Sequence, residues 1–262
     1  MRKKLTVKDL FELKGKCQLT QVFVENTDEA RASEEAGIDM IVAMGDVTKT
    51  FREVAPTTFI TGAISYGECA SPTEAIRRGF QIWDAGADAI YACMPPDWVR
   101  DMAHQGLPVV GHVGLVPQKR TWLGGFKAQG KTAESAMKIY QETLAFQEAG
   151  AIGVEMEVVP ERVASEIAKR VNILVISMGA GPQDVQYLFA SDILGTHTGH
   201  YPRHARKYCD LHAERERLHQ MSVDALRSYR EDVSSGGLFQ PERIVPIQDD
   251  EFEKFMAKVD LS

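Results

Sequence analysis

Two carboxylates in one short apolar segment are the side chains of this sequence best suited to moving a proton. Glu155 and Glu157 stand two positions apart in residues 153–159, Gly-Val-Glu-Met-Glu-Val-Val. On a β-strand such residues face the same side, and an outward-facing pair would bury two charges against apolar groups at a cost of several kcal/mol. We therefore predict that both point inward. Their repulsion would let one keep a proton at neutral pH for acid–base chemistry, and the alternative is a salt-bridged structural pair.

A histidine and an aspartate each follow an apolar run. His112 comes after Pro-Val-Val-Gly and could act as a base, as a ligand or as a hydrogen-bond donor. Asp46 follows Ile-Val-Ala-Met-Gly, so a predicted strand delivers its carboxylate to the strand end. A hard divalent cation takes oxygen ligands, so Asp46 is a candidate metal ligand, with a helix N-cap as the alternative.

A repeated pattern of helix, glycine and short apolar strand must position these residues. Residues 35–42, 84–91 and 148–154 share it, each with Ala-Gly at the end of an amphipathic helix. Glycine there suits a left-handed C-cap, and repeated αβ units are typical of a parallel sheet. We predict strands at residues 18–24, 40–44, 58–64, 89–93, 108–111, 153–158, 174–178 and 187–193, and helices at 27–35, 73–84, 97–105, 133–148 and 160–169.

Eight strands with helices between most of them predict a (β/α)8 TIM barrel with a C-terminal helical extension. A doubly wound open sheet is the alternative, although no Gly-x-Gly-x-x-Gly follows the first strand. We place the barrel at residues 1–212. Residues 213–262 carry a charged helical pattern and an acidic amphipathic tail, and they are predicted to pack on the barrel or on a neighbouring subunit. Catalytic groups of a barrel lie at the carboxyl ends of its strands, where all four candidate residues fall.

Composition restricts the class of protein. The 262 residues, 44% of them hydrophobic, suffice for one large domain with a sizeable core. A formal net charge of −7 without a long basic run argues against a nucleic-acid partner. No apolar run reaches membrane-spanning length, and the basic start lacks the apolar segment of a signal peptide. Widely spaced cysteines without a Cys-x-x-Cys motif predict reduced thiols and a cytoplasmic location.

Two neighbouring motifs carry a family resemblance. Residues 111–118 read Gly-His-Val-Gly-Leu-Val-Pro-Gln, and residues 124–130 read Gly-Gly-Phe-Lys-Ala-Gln-Gly. At the same spacing they resemble GHLGLTPQ and GGYKVQG of the ketopantoate (3-methyl-2-oxobutanoate) hydroxymethyltransferase family, and the resemblance covers most of residues 5–208. It implies a barrel of the phosphoenolpyruvate mutase and isocitrate lyase superfamily, usually a decamer. Such an enzyme holds Mg2+ and transfers a one-carbon unit from 5,10-methylenetetrahydrofolate to C3 of a branched 2-oxo acid.

The resemblance also implies roles for individual residues. Asp46 matches a metal-binding aspartate, Glu157 matches the catalytic glutamate, and His112 matches a polar partner of the substrate. Substrate contact is expected from Thr48 as a substitute hydroxyl, from Tyr91 at the position of a substrate-binding lysine, and from Lys127 in the glycine-rich loop.

Several positions depart from the family pattern. Val47 stands where the family has a substrate-binding serine, and Ala63 stands where it has a second metal-binding aspartate. Tyr91 and Cys93 stand where the fourth strand of the family has a lysine and a glutamate. Because Mg2+ keeps its waters and takes few protein ligands, a lost carboxylate predicts weak binding of Mg2+ or another divalent cation. Glu68 or Glu155 could replace the lost ligand from another direction.

These observations lead to one principal hypothesis and two alternatives. The principal hypothesis is a divergent hydroxymethyltransferase-like enzyme that forms an enolate of a 2-oxo acid or a related carbonyl compound. The alternatives are a C–C lyase or hydrolase on similar compounds, and a catalytically inactive relative that binds a ligand. Loss of the lysine and two acidic groups favours the inactive relative, whereas the retained Glu157 and loop 111–130 disfavour it. The altered site predicts slow ketopantoate formation.

Overall fold

The computed structural model, which describes residues 2–259, contains a closed barrel of eight parallel strands. The strands follow one another in chain order, and the first pairs with the last to close the barrel. They are β1 (Leu19–Phe23), β2 (Met40–Met44), β3 (Phe59–Ala63), β4 (Ala89–Tyr91), β5 (Val109–Gly114), β6 (Gly153–Glu157), β7 (Leu174–Met178) and β8 (Val185–Phe189). The predicted (β/α)8 barrel is confirmed, and the doubly wound alternative is wrong because the sheet closes on itself.

Helices surround the barrel and connect most of its strands. They are α1 (Val7–Leu13), α2 (Thr27–Ala36), α3 (Thr48–Val54), α4 (Pro72–Asp84), α5 (Pro96–His104), α6 (Ala133–Glu148), α7 (Glu161–Ala168) and α8 (Ala190–Leu194). Polar side chains cap their first turns: the Ser71 hydroxyl accepts from the backbone N–H of Glu74, and Thr132 and Ser135 form a capping box. Each cap satisfies a backbone donor that the helix itself leaves unpaired.

Apolar side chains fill both sides of the barrel wall. Inward-facing residues such as Met40, Phe59 and Ile176 form the interior cluster, and Leu10 of α1 is fully buried against it. Outward-facing strand residues pack instead on the helices, where Ile82 and Phe146 are buried. The interior is therefore a packed core, and polar groups within it stand out.

Three segments differ from the sequence prediction, and one of them is α1, a helix that was not predicted. The last predicted strand, 187–193, is shifted: β8 ends at Phe189, and residues 190–194 form α8. Gly195 ends that helix in the left-handed conformation, with φ of 63°. Between β2 and β3 the short segment still carries a helix, α3, although none was predicted there. A short segment with several apolar residues fits a strand or a buried helix equally well, which explains the shift of the eighth strand.

The chain divides into two compact units after Cys209. The second unit contains α9 (Leu211–Ser235), which Asp210 caps at its start, and α10 (Asp249–Val259). None of the described residues of these two helices is buried. The packing of residues 213–262 on the barrel or on another subunit stays a prediction. No helix within residues 2–259 is both long enough and apolar enough to cross a bilayer.

Candidate active site

Three neighbouring strands bring a group of polar side chains into the barrel interior. Tyr91 ends β4, His112 lies on β5, and Glu155 and Glu157 lie on β6. In the β5–β6 register His112 stands opposite Glu155. One ligand atom from each of His112, Glu155 and Glu157 lies within 4.8 Å of the other two, so this group could hold a metal ion. The two carboxylates thus face the same, inner side, as the alternation of the strand predicted.

His112 occupies the centre of a hydrogen-bonded chain. Its Nδ1 lies 2.5 Å from the Tyr91 hydroxyl, and its Nε2 lies 3.1 Å from the Leu115 carbonyl oxygen. The same Nε2 is 3.3 Å from Oε2 of Glu157, and the His112 side chain is only 2% exposed. Both ring nitrogens therefore have acceptors, which suits a doubly protonated imidazolium.

The glycines around His112 allow the strands to approach. A Cβ on Gly111 would lie 2.6 Å from the ring of Phe146, which packs on the outer side of β5. Gly114 has φ of 86°, and a Cβ there would lie 2.4 Å from the Glu157 carbonyl oxygen. The motif Gly-His-Val-Gly is thus required by packing on either side of His112, and it fixes the imidazole against β6.

Burial and charge shift the pKa of both groups. Burial alone would lower the pKa of His112, but the charge of Glu155 and hydrogen bonds with Cys93 and Glu157 raise it to about 10. Burial raises the pKa of Glu155 to about 7, opposed by the charge of His112 and reinforced by that of Glu157. At neutral pH the site therefore holds an imidazolium beside a carboxyl group that keeps its proton to a higher pH than usual. Such perturbed groups, facing each other in a barrel interior, are typical of acid–base sites.

A strained backbone follows the second carboxylate. Val158 has φ of 49°, and it is the one residue other than glycine with positive φ among those the structure describes. A β-branched residue in this region costs roughly 1–2 kcal/mol. The Val158 N–H donates to the Met178 carbonyl at 2.8 Å, and its own carbonyl accepts from the Gln129 N–H at 3.1 Å. These bonds tie the glycine-rich loop to the end of β6 and fix the direction of Glu157.

The other sequence-predicted site residues lie elsewhere. The Asp46 side chain is 83% exposed and pairs with Arg78 of α4, whose Nε is 2.6 Å from Oε1 of Glu68. Thr48 is fully buried in α3 and donates its hydroxyl to the Met44 carbonyl at 3.3 Å. Lys127 is exposed within its loop. The structure therefore joins Tyr91, His112, Glu155 and Glu157, but it does not bring Asp46, Thr48 or Lys127 to them.

The structure adds two residues that were not predicted from the sequence, Tyr187 at the site and Arg78 beside Asp46. Arg78 supplies a cation beside Asp46, and Tyr187 of β8 is buried near both glutamates, whose charges and its own burial raise its pKa well above the usual value. Tyr187 lies in the predicted strand 187–193, so the inward alternation of that strand was a usable signal. The reach of Arg78 depends on helix packing, and no pattern in the sequence indicates it.

Solved structures share the fold of the barrel. The chain superposes on 2,3-dimethylmalate lyase, a phosphoenolpyruvate mutase/isocitrate lyase superfamily member, with a TM-score of 0.55 and 12% identity, covering 91% of this chain and 93% of that one. A phosphonopyruvate hydrolase solved as a complex with oxalate and Mg2+ gives a TM-score of 0.50 at 14% identity, covering 98% and 97%. Identities this low show the fold alone.

Comparison of sequences is more specific than comparison of folds. A sequence model described as ketopantoate hydroxymethyltransferase matches residues 42–240. The 3-methyl-2-oxobutanoate hydroxymethyltransferase of Thermus thermophilus is 34% identical, covering 88% of this chain and 95% of its own length. The enzyme of the same name from Alkaliphilus metalliredigens is 30% identical, covering 98% and 99%. This chain therefore belongs to the ketopantoate hydroxymethyltransferase family of enzymes.

Proposed function

We propose that this chain forms the enolate of a 2-oxo acid or a closely related carbonyl compound and transfers a one-carbon unit to it. The observation that carries the proposal is the buried chain of Glu157, His112 and Tyr91, with Glu155 beside it, at the carboxyl ends of β4 to β6. Proton abstraction next to a carbonyl needs a base near the carbon and a donor near the oxygen, and this group offers both.

Each residue has a distinct part in the proposed step. Glu157, less deeply buried than Glu155, is the base that takes the C3 proton of the substrate. The electron pair of the broken C–H bond moves into the enolate, whose oxygen accepts from the Tyr91 hydroxyl. The His112 imidazolium donates to the Tyr91 oxygen through Nδ1 and so makes that hydroxyl a stronger donor. Water replaces the two C–N bonds of the proposed donor, 5,10-methylenetetrahydrofolate, so that tetrahydrofolate leaves and the one-carbon unit remains at the oxidation level of formaldehyde. The enolate carbon attacks this carbonyl carbon, and the proton held by Glu157 passes to the new alkoxide to give the hydroxymethyl group.

A divalent cation fits the pair Glu155 and Glu157 better than it fits Asp46. At Asp46 the Arg78 guanidinium already balances the carboxylate, and Ala63 offers no ligand. The carboxylates of Glu155 and Glu157 are the oxygen ligands that Mg2+ prefers, so they would hold such an ion. A cation there would polarise the substrate carbonyl and favour loss of the C3 proton.

Hydrogen–deuterium exchange at C3 of 3-methyl-2-oxobutanoate tests this function. In D2O, the wild-type chain with its one-carbon donor omitted should remove the C3 proton signal from the NMR spectrum faster than buffer alone. Glu157→Gln should lose this activity, and Glu148→Gln, an exposed glutamate at the end of α6, should keep it. No exchange despite ligand binding would contradict the proposal and favour the inactive relative, whereas cleavage of the carbon chain would favour the lyase.

The remaining proposals concern location and assembly. All four cysteines are free, which suits a reducing cytoplasm.

Large apolar side chains are exposed on α9 and α10, among them Leu218, Met221, Tyr229, Phe252 and Phe255. Their exposure supports a homo-oligomer, for which the family resemblance implies a decamer. Light scattering on the full chain would measure the subunit number.

A further inference from the structure

A cavity lies near the carboxyl ends of β3 and β4. It has a volume of about 270 Å3 and is enclosed by the segment after β3, the segment after β4 and the start of α5. Its main lining side chains are Ile64, Tyr66, Cys69, Cys93, Met94 and Trp98. These are apolar, aromatic or thiol groups, and the cavity lies at the carboxyl ends of two strands, where ligands of barrel enzymes bind.

Cys93 connects this cavity to the proposed acid–base group. Its thiol lines the cavity, and the register that pairs Tyr91 with Val110 carries Cys93, two residues further on, to the level of His112 on the neighbouring strand. The same Sγ lies 3.4 Å from Oε1 of Gln118, which belongs to the segment following β5. A substrate that loses its C3 proton to Glu157 would therefore carry the groups on C3 near the Cys93 thiol, which borders this cavity.

The volume of the cavity indicates how large the groups on C3 of the substrate can be. If each heavy atom of a ligand takes about the 30 Å3 of a water molecule in the liquid, the two methyl groups on C3 of 3-methyl-2-oxobutanoate need about 60 Å3. They would leave more than three quarters of the 270 Å3 cavity unfilled. On the same scale a benzyl group, with seven heavy atoms, needs about 210 Å3. Trp98 and Tyr66 also offer aromatic surfaces to such a ring.

We propose that this cavity receives the group attached to C3 of the carbonyl substrate, and that it selects an aryl-bearing group over the two methyl groups of 3-methyl-2-oxobutanoate. The inference rests on the proposed function for the position of the reacting carbon. It names the substrate class as 2-oxo acids with a bulky, ring-bearing side chain. Because one methylene in an apolar pocket is worth about 10- to 200-fold, filling the cavity should give at least a tenfold preference.

Alkylation of the cysteines measures occupation of the cavity without any turnover. The wild-type chain would be treated with iodoacetamide, with and without 2-oxo-4-phenylbutanoate, and the modified peptides would be quantified by mass spectrometry. We expect the ligand to slow alkylation of Cys93 and Cys69 at least fivefold, and 3-methyl-2-oxobutanoate to protect them much less at equal concentration. Cys17 and Cys209 are exposed and serve as internal controls, whose rates should not change. Equal protection by both acids, or protection by tetrahydrofolate alone, would overturn the proposal.

Deuterium exchange at C3 measures the same preference in the reaction. The value of kcat/KM should be at least tenfold higher for 2-oxo-4-phenylbutanoate than for 3-methyl-2-oxobutanoate. Cys69→Phe fills the cavity and should remove this preference, whereas Cys17→Phe, at an exposed position, should keep it; thermal unfolding checks that both variants fold. A chain that exchanges neither acid would refute the proposed function, while selective protection of Cys93 would still support the cavity assignment. A preference for the methyl-bearing acid in the wild-type chain would overturn the assignment.

Discussion

Replacing Glu155 with glutamine tests the cost of the buried charge. The pKa of Glu155 is raised from 4.5 to about 7, first of all by burial. At 1.36 kcal/mol for each pH unit, this difference corresponds to about 3 kcal/mol. Between pH 4.5 and 7 the folded chain keeps a proton that the unfolded chain has lost, so the free energy of unfolding falls as the pH rises through this window. Glutamine at position 155 cannot titrate. Over the same pH range the free energy of unfolding of Glu155→Gln should therefore fall by about 1–3 kcal/mol less than that of the wild type.

The range is wide because His112 responds to the same substitution. The charge of Glu155 helps raise the pKa of His112 to about 10, so the variant loses part of the stabilisation of that imidazolium. Urea unfolding at pH 5, 6, 7 and 8, followed by tryptophan fluorescence in the presence of EDTA, gives the free energies. Glu148→Gln is the matched control and should follow the wild-type curve. Identical pH slopes for the wild type and Glu155→Gln would refute the reasoning.

Three further outcomes follow from the site. Gly114→Ala should lower the free energy of unfolding by more than about 2 kcal/mol in chemical denaturation, because its Cβ would meet the Glu157 carbonyl and its φ is positive; Gly106→Ala, at positive φ but in open space, should cost less. Mn2+ binding measured by electron paramagnetic resonance should be weak, should survive Asp46→Asn and should be lost in Glu157→Gln; the reverse pattern would place the cation at Asp46. Ketopantoate formation from methylenetetrahydrofolate should run well below about 1 per second in a steady-state assay, because Tyr91 supplies no cationic contact; ordinary turnover would contradict this.

Much of the fold followed from sequence periodicity. The strands at Met40–Met44 and Leu174–Met178 lie where the apolar runs predicted them, since each is bounded by polar or glycine residues. The eighth strand was misplaced because apolar residues recur on both sides of Ser191 and Asp192, and helix and strand cannot be told apart in so short a segment.

The site was predicted less completely than the fold. Alternation on β6 gave the shared face of Glu155 and Glu157, because it is a local property of one strand. The contact between Tyr91 and His112 joins two strands, and its geometry depends on the register of β4 and β5. The pairing of Asp46 with Arg78 depends on how α4 packs against the barrel, so the sequence could suggest a metal ligand but not the cation that lies beside it.

The charge state of His112 decides whether the proposed acid–base chain exists. If Glu157, His112 and Tyr91 form an acid–base chain, both ring nitrogens carry protons at neutral pH. Long-range 1H–15N NMR spectra of the imidazoles at pH 8, with His112→Asn to assign the signal, report the protonation of each nitrogen. The account predicts an imidazolium that titrates at about 10. A neutral imidazole at pH 8, titrating near the ordinary value of 6.5, would contradict it.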